Sequence, residues 1–138
     1  MCDNRNLKYV ACPYTQGTSN LSKEDAEALK KSRHLQATKA ASQLFCKGII
    51  SYSPLTCGFP MEQEMSEEHV EDYDAWIQMC LTILEHCDEV YVLCLQGWSK
   101  SKGVKIEVAY AKANKLKISY INFDAEGNLM FLDKKPKE

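Results

Sequence analysis

The sequence predicts an α/β fold: a three-layer, doubly wound, largely parallel sheet of four to five strands with helices on both faces. Three observations carry this. Short apolar runs alternate with longer segments of helical spacing four times, and strand connections of helix length imply parallel pairing with right-handed crossovers. The run Val90 to Leu95 is nearly all apolar, as expected of a strand covered on both sides. At 138 residues and 45% hydrophobic content, the chain suits one domain, 1–138, burying roughly two thirds of its unfolded surface.

The elements follow in order. Leu7 to Cys12 reads as a buried strand stopped by Pro13. Ser22, with Asp25 three residues on, starts a helix whose stripe includes Ala26, Leu29, Arg33, Ala37, Ala40, Leu44 and Phe45, and Gly48 ends it. Ile49 to Ser53 is a second strand, closed by Pro54. The Gly-, Pro- and Met-rich stretch from Leu55 to Ser66 reads as a loop long enough to act as a lid. Glu67 to Glu85 reads as one helix with Val70, Tyr73, Ile77, Cys80, Leu81 and Leu84 on one face. After the Val90 to Leu95 strand, Gln96 to Lys100 forms a loop, Ser101 to Ala111 a helix, and Lys117 to Phe123 a strand. A Gly127-Asn128 turn leads into a short edge segment, Leu129 to Leu132. This arrangement is flavodoxin/Rossmann-like, and ligands bind such sheets beyond the carboxyl ends of the strands. Three loops should converge there: Cys12 to Gly17, Ser53 to Ser66, and Gln96 to Gly103.

A net charge of -2 provides no basic field for a nucleic acid polymer. No apolar run approaches the roughly 20 residues needed to span a bilayer, and the N-terminus lacks a signal-peptide core, so a cytoplasmic location is expected. Seven cysteines form no C-x-x-C pair and read mostly as small buried hydrophobes in a reducing compartment. His34, His69 and His86 have no metal-ligand spacing. No metal or cofactor is expected.

One residue breaks the pattern. In the Ser101 to Ala111 helix, Val104, Val108 and Ala111 form the buried stripe, and Glu107 falls inside it. A carboxylate there is either paired, with Lys112 or Arg33 as candidates, or used. Upstream, Ser99, Ser101 and Gly103 precede a helix start whose unsatisfied amides and positive dipole end suit a phosphate or carboxylate, although Ser101 also suits a simple N-cap.

These residues resemble the nucleoside 2-deoxyribosyltransferase-like superfamily, most closely a small bacterial and phage branch related to the 2'-deoxynucleoside 5'-monophosphate N-glycosidases. The resemblance runs from Tyr9 to about Ile121. It rests on Tyr9-Val-Ala-Cys-Pro-Tyr14, Tyr52-Ser-Pro54, Cys87-Asp88, Leu95-Gln-Gly-Trp98 and Ser101-Lys-Gly-Val-Lys-Ile-Glu107 with Ala111. It implies Glu107 as the nucleophile that attacks the anomeric carbon of deoxyribose, kept ionised by the helix dipole, and Tyr9 as its orienting partner. Ser101 would contact a 5'-phosphate. Cys12, Pro13, Tyr14, Ser53, Trp98, Ser99 and Gly103 complete the expected substrate contacts. The family aspartate that handles the proton on the departing base maps onto Cys80, and a thiol is a poor replacement for it. Asp74, earlier on the same helix, is the candidate substitute, although a solvated place in a helix's first turn suits it equally.

The expected function is therefore cleavage or exchange of an N-glycosidic bond in a deoxynucleoside or nucleotide. A non-catalytic nucleotide binder with the same cleft is the alternative. The resemblance also implies a homodimer or larger homo-oligomer. Asn128-Leu129-Met130 matches a segment that completes a neighbouring subunit's site in some transferases, while Gly127-Asn128 is also a natural hairpin turn.

Overall fold

A computed structural model of the protein describes residues 6–138; Cys2 lies outside them. Five strands form one sheet: β1 (Lys8–Ala11), β2 (Ser51–Tyr52), β3 (Glu89–Leu93), β4 (Lys117–Phe123) and β5 (Leu129–Leu132). Their order is β2-β1-β3-β4-β5. The first four are mutually parallel, and β5 returns antiparallel along β4. The helices are α1 (Lys23–Cys46), α2 (Pro54–Gln63), α3 (Glu67–Val70), α4 (Tyr73–Leu84) and α5 (Lys102–Ala113), with a single 3-10 turn over Trp98–Lys100.

The period of two along each strand sends alternate side chains into two separate cores. Tyr9, Ala11, Val90 and Val92 pack with Cys80 and Leu84 of α4 and with Val104 and Ala111 of α5. Val10, Tyr91, Leu93 and Ile121 pack with Ala37, Ala40 and Leu44 of α1 and with Leu55 of α2. The central strand β3 is buried at all five positions, which is why its sequence reads as a continuous apolar run rather than as an alternation.

Three elements differ from the sequence reading. The stretch after Pro54 is the helix α2, not a loop: Pro54 stands at its first position, where a missing amide costs nothing, and Pro54, Leu55 and Gly58 are buried. Tertiary packing has overridden a composition rich in Gly and Pro. Residues 67–85 form two helices rather than one. Asp72 ends the first run by capping the second, its carboxylate accepting from the Ala75 amide at 3.1 Å. Phe45, placed on the buried stripe of α1, is 79% exposed.

Small corrections concern polar and thiol groups. Cys80, Cys87 and Cys94 are buried and Cys12 is half-buried, whereas Cys46 and Cys57 are exposed. His34 is half-buried: its Nδ1 bonds the Leu55 carbonyl at 2.7 Å and its ring stacks on Phe59. No described helix is long and apolar enough to cross a membrane.

Candidate functional site

A cleft open to solvent lies beyond the carboxyl ends of the parallel strands. The first loop contributes Cys12, Tyr14 and Thr15, the start of α2 contributes Pro54 and Leu55, and the third loop leads into Ser101 and Gly103. The three predicted loops therefore do converge. The remaining wall comes from one face of α4, with Tyr73, Trp76, Ile77 and Cys80. Sequence periodicity finds that stripe but assigns it to core packing, since a cleft wall and a core face carry the same apolar spacing.

Glu107 sits at the bottom of the cleft, 6% exposed. Its Oε2 accepts a buried hydrogen bond from the Tyr9 hydroxyl. Tyr9 is fully buried on β1, and the pleat turns its side chain toward α5, so strand and helix hold the two groups together without a loop. Neither Lys112 nor Arg33 pairs with Glu107: the described ion pairs do not include it. Burial pushes the Glu107 carboxyl up to about 8, against the Tyr9 hydrogen bond, which draws it down. This overturns the expectation that the helix dipole keeps it ionised. The dipole acts mainly on the first turn, and Glu107 is six residues past the cap, where desolvation is the larger effect.

Tyr9 also interacts with the Cys80 thiol, whose titration is pushed up to about 12, first by burial and then, against the Tyr9 contact, by the Glu107 charge. Burial likewise raises the Tyr9 hydroxyl well above the usual tyrosine range, with Glu107 adding to it. Thiol and phenol are thus both neutral donors at physiological pH, grouped around one carboxyl group.

The start of α5 is capped by its own serine. Ser101, 4% exposed, accepts from the Val104 amide at 3.3 Å, which leaves its hydroxyl proton for another acceptor. Gly103 lies beside it, and a β-carbon there would meet the Tyr73 hydroxyl at 3.5 Å and Ser101 Oγ at 3.9 Å. Two hydroxyls, with Ile77 Cδ1 at 3.9 Å, therefore come together over the first turn of α5, in ordinary van der Waals reach of that position. The Tyr73 hydroxyl is buried and has no hydrogen-bond partner, a state that costs free energy unless a ligand or water satisfies it.

Arg33 fixes the frame around the cleft. The residue is 6% exposed, and its guanidinium donates to the carbonyls of Tyr14 at 2.8 Å, Gln16 at 2.6 Å and Gln96 at 3.3 Å. One fork of donors thus ties the first loop to the third. Trp76 faces Tyr14 with ring centroids 6.1 Å apart, giving the cleft an aromatic side.

Several expected site residues lie elsewhere. Asp74 is exposed on the first turn of α4 and does not line the cleft; the residue one position earlier, Tyr73, does, because a step of one residue turns a helix by about 100°. Ser99 donates its amide at 2.9 Å and its hydroxyl at 2.5 Å to Glu138. It faces the C-terminal segment, since the 3-10 turn separates its direction from that of Ser101. Trp98 packs into the core against Tyr120, and Pro13 is fully buried. Ser53 is buried with an unpartnered hydroxyl but does not line the cleft. Among the described residues no group of three or more His, Cys, Asp or Glu is arranged to hold a metal ion.

Asn128 is exposed on its turn, and the turn is tied to α1: Gln43 donates to the Gly127 carbonyl at 2.9 Å and accepts from the Leu129 amide at 2.7 Å. Residues 6–122 match the model of a family described as a domain of unknown function, DUF1937. No curated protein matches the chain.

Proposed function

We propose, from the premise that this chain belongs to the DUF1937 family, that it cleaves or exchanges the N-glycosidic bond of a deoxynucleoside or nucleotide. The observation that carries the reading is a buried carboxyl group at the bottom of an aromatic-sided cleft, held by a tyrosine from the neighbouring strand. The strand order and the two cores support the finer reading of the fold as three-layer, doubly wound and flavodoxin/Rossmann-like. The Tyr9, Ser101 and Glu107 motif residues support a place in the nucleoside 2-deoxyribosyltransferase-like superfamily.

In this mechanism ionised Glu107 attacks the anomeric carbon of the deoxyribose. The carbon-nitrogen bond breaks, its electron pair leaves with the base, and a glycosyl-glutamate ester forms. The departing base takes a proton from solvent or from a neutral donor lining the cleft, such as Cys80 or Tyr73, both of which feel the Glu107 charge. Water or a second base then attacks the same carbon, the carbon-oxygen ester bond breaks so that Glu107 leaves as the carboxylate, and the attacking group's proton returns to the donor or to solvent. Tyr9 orients the carboxylate and stabilises its charge. Cytoplasmic location and self-association, with exposed Asn128 facing a neighbouring subunit, belong to the same reading.

The test is incubation with 2'-deoxynucleosides and their 5'-monophosphates, with released base followed by chromatography. Turnover lost in Glu107→Ala supports the reading; no turnover of any substrate, or an unaffected variant, sinks it. A second reading, a nucleotide binder without chemistry, is favoured by Cys80 at the aspartate position and by the raised titration of Glu107. Ligand binding without base release, with release gained in Cys80→Asp, would identify it.

A further inference from the structure

We infer that Tyr73 is the catalytic acid of the cleft: its hydroxyl gives a proton to the base as the glycosidic bond breaks. This rests on the glycosidase reading above and names, between the cleft's neutral donors, the one that serves.

Three observations place the hydroxyl near the departing base. Tyr73 lines the cleft, its hydroxyl is buried without a hydrogen-bond partner, and a β-carbon at Gly103 would stand 3.5 Å from it. Gly103 precedes Glu107 by four residues on α5, so the two share a face of that helix one turn apart, about 5.4 Å along its axis. The phenol is thus held roughly one helical turn from the attacking carboxylate. A nucleobase spans such a distance, since its ring nitrogens and carbonyl oxygens extend beyond the bond that breaks.

The other donors are less suited. Cys80 is buried and interacts with Tyr9, burial pushes its thiol up to about 12, and a thiol is a weak hydrogen-bond donor. Ser101 is an aliphatic alcohol, a far weaker acid than a phenol, and its oxygen caps the Val104 amide. Tyr14 also has a buried, unpartnered hydroxyl, but the lysine over its ring, Lys30, is paired with Glu62, and after burial it is Glu62 that makes its proton harder to release. The Lys102 ammonium, 5.1 Å from the centre of the Tyr73 ring, has no carboxylate partner among the described residues. An uncompensated cation at that distance favours the phenolate.

The charges also time the transfer. Burial, and after it the Glu107 charge, make Tyr73 hold its proton more firmly than an ordinary tyrosine. Attack turns Glu107 into a neutral ester, so the second effect vanishes as the carbon-nitrogen electron pair moves onto the base. The hydroxyl becomes a stronger acid at the step that needs it. Its O–H bond breaks, the proton joins the base, and the negative charge that began on Glu107 ends on the Tyr73 oxygen. Water attacking the ester then returns a proton to the phenolate, and Glu107 leaves as the carboxylate.

Base release from 2'-deoxyguanosine and from 7-methyl-2'-deoxyguanosine tests this on the full chain. The methylated base is cationic and leaves neutral without a proton. Tyr73→Phe is expected to lower kcat at least about 10²-fold on the first substrate and less than about threefold on the second. Thermal melting should show Tm unchanged or raised, because the variant deletes a buried hydroxyl that lacks a partner. Should it fold poorly, 3-fluorotyrosine at position 73 keeps the shape and sharpens the acid, and is expected to speed release of the unmethylated base alone. Equal losses on both substrates, or no loss on either, overturn the inference and leave the glycosidase reading standing. No release from either substrate by the unmodified protein sinks both.

Discussion

Tyr9 and Glu107, 98 residues apart in sequence, share a buried hydrogen bond that joins the central sheet to α5. The bond lowers the Glu107 titration against the larger effect of burial, which sets it near 8. A nucleophilic carboxylate must be ionised, so base release is expected to climb through pH 7 and level off above about 8. Tyr9→Phe removes the lowering contribution and shifts that profile to more alkaline pH. Glu107→Gln should cost at least about 10³-fold in turnover at every pH. A profile flat from pH 6 to 9, or one unmoved in Tyr9→Phe, would contradict the assigned roles.

The same titration makes folding stability depend on pH. The folded-state value is raised above the unfolded one, so the folded protein holds a proton that the unfolded chain has lost. The stability contribution is fully present below about 4.5, the ordinary value, and is lost as pH rises toward about 8. The slope approaches ~1.4 kcal/mol per pH unit in that window. Glu107→Gln keeps the shape and removes the titration. Thermal melts of the two proteins from pH 5 to 9 should therefore diverge, the variant gaining relative to the parent as pH rises. Parallel curves would mean that Glu107 titrates normally.

The parts of this molecule legible in its sequence are those where a single local signal decides. An apolar run marks β3, a serine before an apolar stripe marks the start of α5, and a carboxylate inside that stripe marks the cleft. Tyr73 is not legible as a site residue because it sits in the same stripe as Ile77 and Cys80, and spacing alone does not say whether a stripe meets a core or a cavity. The helix α2 is hidden by Gly58 and Pro60, whose local preferences oppose a helix that tertiary packing holds. The carboxylate's ionisation escapes a sequence reading because a dipole argument is local, whereas desolvation depends on everything packed around the residue.

Arg33 is expected to matter more for loop geometry than for chemistry. Its guanidinium holds three carbonyls from two loops and has no carboxylate partner among the described residues. Replacing it with methionine fills much of the volume but leaves buried acceptors without donors, at about 1–3 kcal/mol for each that water does not reach. Arg33→Lys keeps the charge and loses the fork, so it should recover only part of the loss. Chemical denaturation of the three proteins measures this; an Arg33→Met variant as stable as the parent would show that the clamp is dispensable.

Gly58 sets how closely α2 approaches α4. A β-carbon at this position would stand 2.3 Å from Cη2 and 2.7 Å from Cζ3 of Trp76, well inside van der Waals contact, and the indole is a rigid ring between two helices. Gly58→Ala gains about 0.5–1 kcal/mol from helix propensity, yet it forces either the ring or the helix to move, at typically 1–3 kcal/mol. The overlap is with a ring that cannot fold away, so packing is the larger effect and net destabilisation is expected. Trp76 also lines the cleft beside Tyr14, so the displaced ring should weaken ligand binding as well. The double variant Gly58→Ala with Trp76→Leu removes the overlapping ring and should recover stability without recovering binding. That split separates a packing role for Gly58 from a ligand-facing role for Trp76: a Gly58→Ala protein with unchanged melting and unchanged affinity would show that the two helices have room to part.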